Sequence, residues 1–120
     1  MLKKASKKTL KRKADAVFSK YIRSRNVCQW CGAVNDTLQC CHIFSRRFLV
    51  TRWDEFNALC LDARCHFKAH QQPIEFTEFI KKFLGESRYN ALRRKAKTSL
   101  VKQDLQVIIT KYQRLLDNKL

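Results

Sequence analysis

The sequence predicts an α+β domain in which a short two-stranded ribbon lies between helical ends. Three observations support this prediction. Only two glycines and one proline occur in 120 residues, which favours long helices at the ends and few turns. Apolar residues recur at helical spacing near both ends, whereas the middle contains two short apolar runs without a helical period. A chain of this length fits one domain with a small core, so we expect residues 1–120 to fold as one unit.

The first half of the chain changes from helix to strand. Residues 1–27 form a basic arm, and within it an amphipathic helix is expected over about residues 4–25, because the apolar side chains fall on one face. The apolar runs 38–44 and 56–61 are compatible with two strands. The basic loop 45–55 would join them.

The second half is expected to be a helical extension covering residues 73–120. A helix should follow Pro73 and end at Gly85, which is a natural C-cap. A short helix is then expected over about residues 87–96. A closing helix of about twenty residues completes the chain, with Ser99 as its N-cap.

The charge of the chain is large and unevenly distributed. The formal net charge is +16, and it divides into +9 for residues 1–27, −1 for residues 28–80 and +8 for residues 81–120. A solvated surface is the usual explanation of lysine-rich runs. The one-sided excess favours a polyanion, and nucleic acid binds such surfaces by releasing counterions from its phosphates.

The sequence contains no membrane or export signal. No segment approaches the roughly eighteen consecutive apolar residues of a membrane helix, and the basic start Met1–Lys13 lacks the apolar stretch of a secretory signal. We therefore expect a cytoplasmic protein without a membrane partner, and six cysteines in that reducing compartment favour metal ligands or free thiols over disulfides.

The cysteines predict a structural zinc site. Cys28 and Cys31 have the Cys-x-x-Cys spacing of a zinc knuckle, and a glycine follows the second cysteine. Cys60 and Cys65 are the candidates for the other two ligands, although their spacing is wider than the usual one. Asp62 is the alternative ligand in place of Cys60. Four buried, reduced thiols without metal are the competing interpretation.

The three histidines and one asparagine form the most informative pattern. From His42 to Asn57 is fifteen residues and from Asn57 to His66 is nine, and His70 follows His66 at i+4. These intervals resemble the His-Asn-His pattern of the ββα-metal nucleases, also called HNH or His-Me finger nucleases. The resemblance implies a ribbon that carries the first histidine and a helix that presents metal ligands to the same cleft.

Each of these residues has an expected role in phosphodiester hydrolysis. His42 is the candidate general base, because a neutral imidazole can take a proton from attacking water. Asn57 would bond in the loop between ribbon and helix and orient the ring of His42. His66 and His70 would share one divalent cation from one helix face. For any single histidine, a purely structural role is the commoner outcome.

Basic residues near these histidines are candidates for contacts with DNA phosphates. Arg46, Arg47 and Arg52 follow His42 in the loop, and Lys68 lies between His66 and His70. Ordinary surface charges are an equally good explanation of the arginines.

A closer resemblance lies in four segments. These segments are similar to the phage recombination nucleases of the NinG or Rap family, and the similarity extends from about residue 8 to residue 112: ADAVFSKYIRSR at 14–25, LQCCHIFSRR at 38–47, TRWDEFN at 51–57 and PIEFTEF at 73–79. The resemblance implies an endonuclease that acts on branched DNA during phage recombination, in the cytoplasm of the host cell. It places the histidine of the family on His42, its asparagine on Asn57 and a metal-ligand position on His66.

The chain departs from this family just before His42. Cys40 and Cys41 stand where the family has small residues, and related nucleases often have a metal-binding Asp or His at the position of Cys41. A thiolate there would favour zinc over magnesium, so magnesium, manganese and zinc all remain candidates for the catalytic ion.

Two other functions are compatible with the sequence. One is a zinc-stabilised nucleic-acid-binding protein without catalysis, and the other is a homing or restriction-type HNH nuclease with sequence specificity. The oligomeric state stays open, although symmetric cutting of a four-way junction would favour a two-fold dimer.

Overall fold

Five α-helices and one pair of strands make up the part of the chain that the computed structural model describes, residues 5–98 and 102–119. The elements follow in the order α1 (Lys7–Arg23), β1 (Gln39–His42), a 3-10 turn (Glu55–Asn57), β2 (Ala58–Leu61), α2 (Ala63–Gln71), α3 (Pro73–Leu84), α4 (Glu86–Ala96) and α5 (Leu105–Asp117). The predicted mixed α+β class is confirmed. None of the helices described is both long enough and apolar enough to cross a membrane.

The two strands form a short antiparallel ribbon. Cys40 lies opposite Cys60, and His42 lies opposite Ala58. Because successive side chains of a strand point to opposite faces, Cys60 packs into one core and Leu59 into another. All four residues of β2 are buried, since both faces of the ribbon are covered.

The strands are shorter than the expected runs 38–44 and 56–61. Beyond His42, the backbone N–H of Phe44 donates to the side chain of Asn57 at 2.8 Å instead of extending the strand pair. Glu55–Asn57 forms a 3-10 turn directly before β2. The start of the second run is therefore helical in conformation, a distinction that hydrophobic periodicity cannot make in so few residues.

One core lies between α1, α5 and one face of the ribbon. Phe18 and Ile22 of α1 meet Ile109 and Tyr112 of α5 there, together with Trp53 from the loop before β2. The rings of Phe18 and Tyr112 contact edge to face at 5.1 Å between centroids, a favourable arrangement for aromatic pairs. The two basic flanks of the sequence are thus joined through apolar stripes, which leaves their charged faces outward.

The other core lies on the opposite face of the ribbon. Leu59 and Leu61 pack there with Cys65 of α2 and with Phe76 and Ile80 of α3. This core also contains Cys28, so it connects the Cys-x-x-Cys turn to the ribbon and to α2.

The helix boundaries follow from local signals. Ser6 caps α1 by accepting a hydrogen bond from the Thr9 N–H at 3.1 Å. Pro73 opens α3, where its missing N–H costs nothing. Gly85 separates α3 from α4 with a φ of +86°, a region that glycine enters without a steric penalty. The expected helices of residues 4–25, 73–85 and 87–96 agree with α1, α3 and α4 to within a few residues.

The closing helix begins later than predicted. Asp104, rather than Ser99, is its N-cap, because the Asp104 carboxylate accepts hydrogen bonds from the N–H groups of Gln106 and Val107. The helix α5 has 13 residues, so the expectation of about twenty was wrong. Ser99 itself lies outside the described residues.

Candidate functional site

Three cysteines and one aspartate form a candidate metal centre. The Sγ atoms of Cys28, Cys31 and Cys65 and a carboxylate oxygen of Asp62 all lie within 4.8 Å of one another. Three thiolates and one carboxylate provide the four tetrahedral donors that zinc prefers. These residues therefore fit a structural zinc ion, with no position left open for water.

A tight turn brings the first two ligands together. The Gly32 N–H donates to the Cys28 carbonyl at 2.8 Å, and the Cys28 N–H donates to the Ala33 carbonyl at 2.8 Å. Gly32 has a φ of +79°, which a side chain would disfavour. The glycine after the second cysteine thus allows the turn to close.

Cys60 is not a member of the cluster, and its assignment as a zinc ligand was wrong. Its side chain is fully buried in the core that α1 and α5 share, because alternation along β2 directs it away from Cys65. Its backbone N–H donates to the Gln29 side chain at 2.8 Å. Asp62, the alternative ligand, takes the fourth place because the chain turns there from β2 into α2.

The pKa values of the cluster are shifted in both directions. Hydrogen bonds, first of all the one from the Cys65 N–H, lower the pKa of Asp62. Burial would raise the pKa of Cys28, but hydrogen bonds from the N–H groups of Cys31, Asp62 and Trp30 outweigh it and lower that pKa. Burial, followed by hydrogen bonds with Cys28 and Cys31, raises the pKa of Cys65. A bound cation would stabilise all of these groups in the deprotonated form.

All three histidines of the chain line one open cleft of about 510 Å³. The cleft lies between α1, β1 and α2. Its lining consists of Asp15, Ser19, Cys40, Cys41, His42, Ser45, Arg46, His66 and His70. Residues that are 28 positions apart in the sequence therefore meet at one concave surface.

His42 is held at the end of β1 through one nitrogen. Its Nε2 lies 2.8 Å from the Arg52 carbonyl oxygen. A carbonyl only accepts, so Nε2 must donate, and Nδ1 of the neutral ring then has a free lone pair. The ring also packs against Phe18, with 5.6 Å between centroids.

The environment keeps His42 neutral. Burial lowers its pKa below the ordinary value, and the charges of Arg46 and Arg52 act in the same direction. The hydrogen bond to the Arg52 carbonyl and the charge of Asp15 oppose this shift without cancelling it. At physiological pH the ring is therefore an available proton acceptor.

His66 and His70 form a pair on one face of α2. Their ring centroids lie 5.0 Å apart, as expected for positions i and i+4 of a helix. The Nδ1 atom of His66 lies 2.6 Å from the Gln39 side-chain oxygen, which leaves Nε2 free to bind a cation. Burial, followed by the charge of His70, lowers the pKa of His66.

Asn57 has a different position and different partners from those predicted. It lies between the two strands, directly before β2, and not between the ribbon and α2. Its side chain is fully buried and donates to the carbonyls of Phe44 and Thr51, both at 3.0 Å, while it accepts from the Phe44 N–H at 2.8 Å. Asn57 therefore fastens the loop after β1, and the Arg52 carbonyl, not Asn57, holds the ring of His42.

Cys41 borders the cleft but its thiol belongs to the core. The residue is 2% exposed and packs with Leu59 and Cys65. Burial raises the pKa of Cys41 to about 12. Burial likewise raises the pKa of Cys40 to about 12. Cys41 is a poor ligand in this position, because it does not form a group of donors with His66 and His70 that could share one ion.

The arginines predicted to bind phosphate differ in whether their guanidinium groups already have partners in the protein. Arg52 is engaged by Asp15, because its Nε donates to Oδ1 at 3.0 Å and its Nη2 to Oδ2 at 2.5 Å. Arg46 is exposed and lies 4.0 Å from the same carboxylate. Arg47 packs over Phe48. The assignment of Arg52 to DNA binding is thus corrected, because its guanidinium already has a protein partner.

Lys68 also has a neighbour in the protein. Its Nζ lies 4.6 Å from the centre of the Trp30 ring, a cation–π distance. Its exposure at the surface of α2 leaves the ammonium group accessible to solvent.

Two residues of the site, Asp15 and Gln39, were not identified from the sequence. Asp15 accepts from the Trp53 indole N–H at 2.9 Å as well as from Arg52. Burial would raise the pKa of Asp15, but hydrogen bonds and charge from Arg52 outweigh it and lower that pKa. The available signal was that Asp15 is the single acid among the first 27 residues. Gln39, which contacts His66, gave no signal of its own.

Comparisons of the chain with known protein families, with curated proteins and with solved structures found no match.

Proposed function

We propose that this protein is a metal-dependent DNA endonuclease of the ββα-metal (HNH, His-Me finger) type. The observation that supports the proposal is the cleft in which His42, at the end of a ribbon, faces the same space as His66 and His70 of the following helix. A ribbon followed by a helix is the order of elements that this nuclease type requires. The net charge of +16 is consistent with a nucleic-acid substrate.

His42 acts as the general base. Its Nε2 donates to the Arg52 carbonyl, so Nδ1 accepts the proton of a water molecule that attacks the phosphorus atom. The lowered pKa keeps the ring neutral before the reaction. The fixed hydrogen bond keeps the ring in one orientation, so little reorganisation precedes proton transfer.

His66 and His70 are the ligands of the catalytic cation. Their rings lie 5.0 Å apart, which suits one shared ion, and Gln39 sets the orientation of His66. When bound, magnesium, manganese or zinc would offset the charge on the phosphate and stabilise the departing oxygen. Cys41 is omitted from this ligand set because it does not form a group of donors with His66 and His70 that could share one ion.

The second metal centre has a structural role. Cys28, Cys31, Asp62 and Cys65 would hold zinc at the start of α2, and α2 carries both histidine ligands. Loss of that zinc would loosen the helix from which the catalytic cation is bound.

The resemblance to the NinG or Rap family extends the proposal to branched recombination intermediates. Two basic flanks on opposite ends of the sequence could each contact a separate duplex arm. A two-fold dimer would match the symmetry of a four-way junction. This activity would belong in the cytoplasm of the host cell of a phage.

The test compares cleavage of a four-way junction and of linear duplex by wild type, His42→Ala and Gln71→Ala. Gln71 is an exposed residue at the end of α2, so Gln71→Ala is the matched control. Wild type and Gln71→Ala should cut in the presence of a divalent metal, and the junction should be cut faster. His42→Ala should lose about 100-fold or more in rate and keep its affinity for DNA. Equal cutting by wild type and His42→Ala would refute the assignment of the base.

A non-catalytic, zinc-stabilised nucleic-acid-binding protein is the second candidate. The four-donor cluster favours it, because a closed tetrahedral site stabilises a fold without performing chemistry. Binding without metal-dependent cleavage by wild type would support this alternative. Cut sites mapped on random duplex would identify a sequence-specific homing or restriction-type nuclease instead.

A further inference from the structure

A second concave surface adjoins the histidine cleft. It is lined by Lys7, Lys8, Lys11 and Arg12 from the first half of α1, together with Asp15 and Arg52. Its volume is about 500 Å³. We call these four cations and the surface between them the α1 hollow.

The positive charge of the α1 hollow is not neutralised within the part of the protein that the structure describes. Asp15 is the one acid in its lining, and that carboxylate already binds Arg52. Among the described residues, none of the four cations of the hollow forms an ion pair. The first turn of α1 also contains no acid. Four cations around one hollow, with no counter-charge, favour an anionic ligand with several phosphates.

The α1 hollow and the histidine cleft share a wall. Asp15 lines both surfaces, and Ser19, one turn further along α1, lines the histidine cleft. Lys7 and Ser19 are twelve residues apart, which corresponds to about 18 Å along the helix. That length matches about five base pairs of duplex DNA.

We infer that the α1 hollow binds the backbone phosphates of duplex DNA about three to seven nucleotides from the cleaved bond. The inference rests on the proposed function for the position of the cleaved bond. The Asp15–Arg52 pair separates the two surfaces, so the hollow adds phosphate contacts without placing cations on the general base. The hollow fixes the register of the duplex, and the histidine cleft performs the chemistry.

Salt dependence of binding tests the hollow directly. The test variant carries Lys7→Gln, Lys8→Gln, Lys11→Gln and Arg12→Gln. The matched control carries Lys82→Gln, Arg88→Gln, Arg93→Gln and Arg94→Gln, four exposed positions on α3 and α4. Both sets also carry His42→Ala, so that binding is measured without cleavage. The DNA is a short linear duplex, which offers a single arm and therefore no second arm for the basic flank at residues 81–120. The test set should reduce the slope of log affinity against log salt by about 2 to 4, and the control set by less than about 1.

DNA in which single phosphates are replaced by uncharged groups locates the contact. Methylphosphonates placed about three to seven nucleotides from the cut should weaken binding by the protein with an intact hollow. The same substitutions should have no further effect on the test variant, because the contacts are already absent. Circular dichroism of the test variant confirms that α1 is folded.

The outcomes separate this inference from the proposed function. If wild type cuts DNA but the test and control sets change the slope equally, the α1 hollow is refuted and the nuclease assignment stands. If wild type never cuts but only the test set loses slope, the hollow binds DNA and the nuclease assignment fails. The inference would also be refuted if the hollow bound free nucleotides and the test set left the salt dependence of duplex binding unchanged.

Discussion

Asp62 and Cys65 are linked twice, once through the helix backbone and once through the candidate metal centre. The Asp62 Oδ1 atom accepts a hydrogen bond from the Cys65 N–H at 2.8 Å, which caps α2. The other carboxylate oxygen accepts from the Cys31 Sγ at 3.4 Å. One side chain therefore starts the helix that carries His66 and His70 and also completes the ligand cluster.

The cluster predicts that Cys60 and Cys65 differ in their importance for zinc binding. Cys65→Ala should abolish tight zinc binding, because it removes one of four donors. Cys60→Ala should keep one zinc ion per chain, because Cys60 lies in the other core. The measurement is zinc released to a chromophoric chelator per mole of folded protein. Equal loss of zinc from both variants would show that Cys60 is a zinc ligand.

The ion pair between Asp15 and Arg52 predicts a positioning role for Asp15. Asp15→Asn should lower kcat by about ten- to hundredfold. The ion pair with Asp15 fixes Arg52, and the carbonyl of Arg52 holds the ring of His42. Asp15 raises the pKa of His42, so the variant should also move the acidic limb of the pH–rate profile to lower pH. The measurement is kcat against pH on a saturating DNA substrate.

Lys95→Gln is the control for Asp15→Asn. It breaks the Lys95–Asp54 ion pair, away from the lining of the histidine cleft, and should change neither kcat nor the acidic limb. A lower rate for Asp15→Asn with an unmoved limb would indicate a general loss of structure and would contradict the positioning role.

The sequence predicted those features that depend on local chemistry. Pro73 and Gly85 bracket α3 because proline suits the first turn of a helix and glycine suits the residue after its end. The spacing of His66 and His70 predicted two rings on one face, and the structure places them 5.0 Å apart. The apolar stripes of both flanks likewise predicted helices that pack through those stripes.

The features that depend on tertiary register were not predictable. Whether Cys60 or Asp62 joins the cluster depends on where β2 ends. Cys60 still lies in the strand and faces the core shared with α1 and α5, whereas Asp62 lies in the turn into α2, and the end of the strand is set by its pairing with β1. Asn57 could not be placed, because its partners Phe44 and Thr51 lie on a loop with no sequence signal. Arg52 looked like a free cation because its partner Asp15 is 37 residues away.

The lowered pKa of His42 predicts how activity depends on pH. In the proposed nuclease only the neutral ring accepts a proton, so the rate should rise with pH to a plateau, and the midpoint of this rise should lie below about pH 6.5, the ordinary pKa of histidine. Below that plateau the rate should fall about tenfold per pH unit for a single titrating base. The measurement is single-turnover cleavage, with zinc content checked at each pH. A midpoint clearly above about pH 6.5 would contradict a buried neutral base.

The hydrogen bonds of Asn57 predict a large effect on stability. Asn57→Ala leaves the Phe44 N–H and the carbonyls of Phe44 and Thr51 without their partner. Because these groups lie against a fully buried side chain, we expect the free energy of unfolding to fall by about 2 to 4 kcal/mol. The measurement is urea denaturation of the zinc-saturated protein.

Two further variants make the Asn57 prediction specific. Asn57→Asp has nearly the same shape but cannot donate to either carbonyl, so it should be at least as destabilising as Asn57→Ala. Asn90→Ala removes an exposed asparagine of α4 and should have little effect. A loss below about 1 kcal/mol for Asn57→Ala would show that the loop after β1 keeps its shape without this side chain. In that case the position of the Arg52 carbonyl, and with it the ring of His42, would depend on the Asp15–Arg52 pair alone.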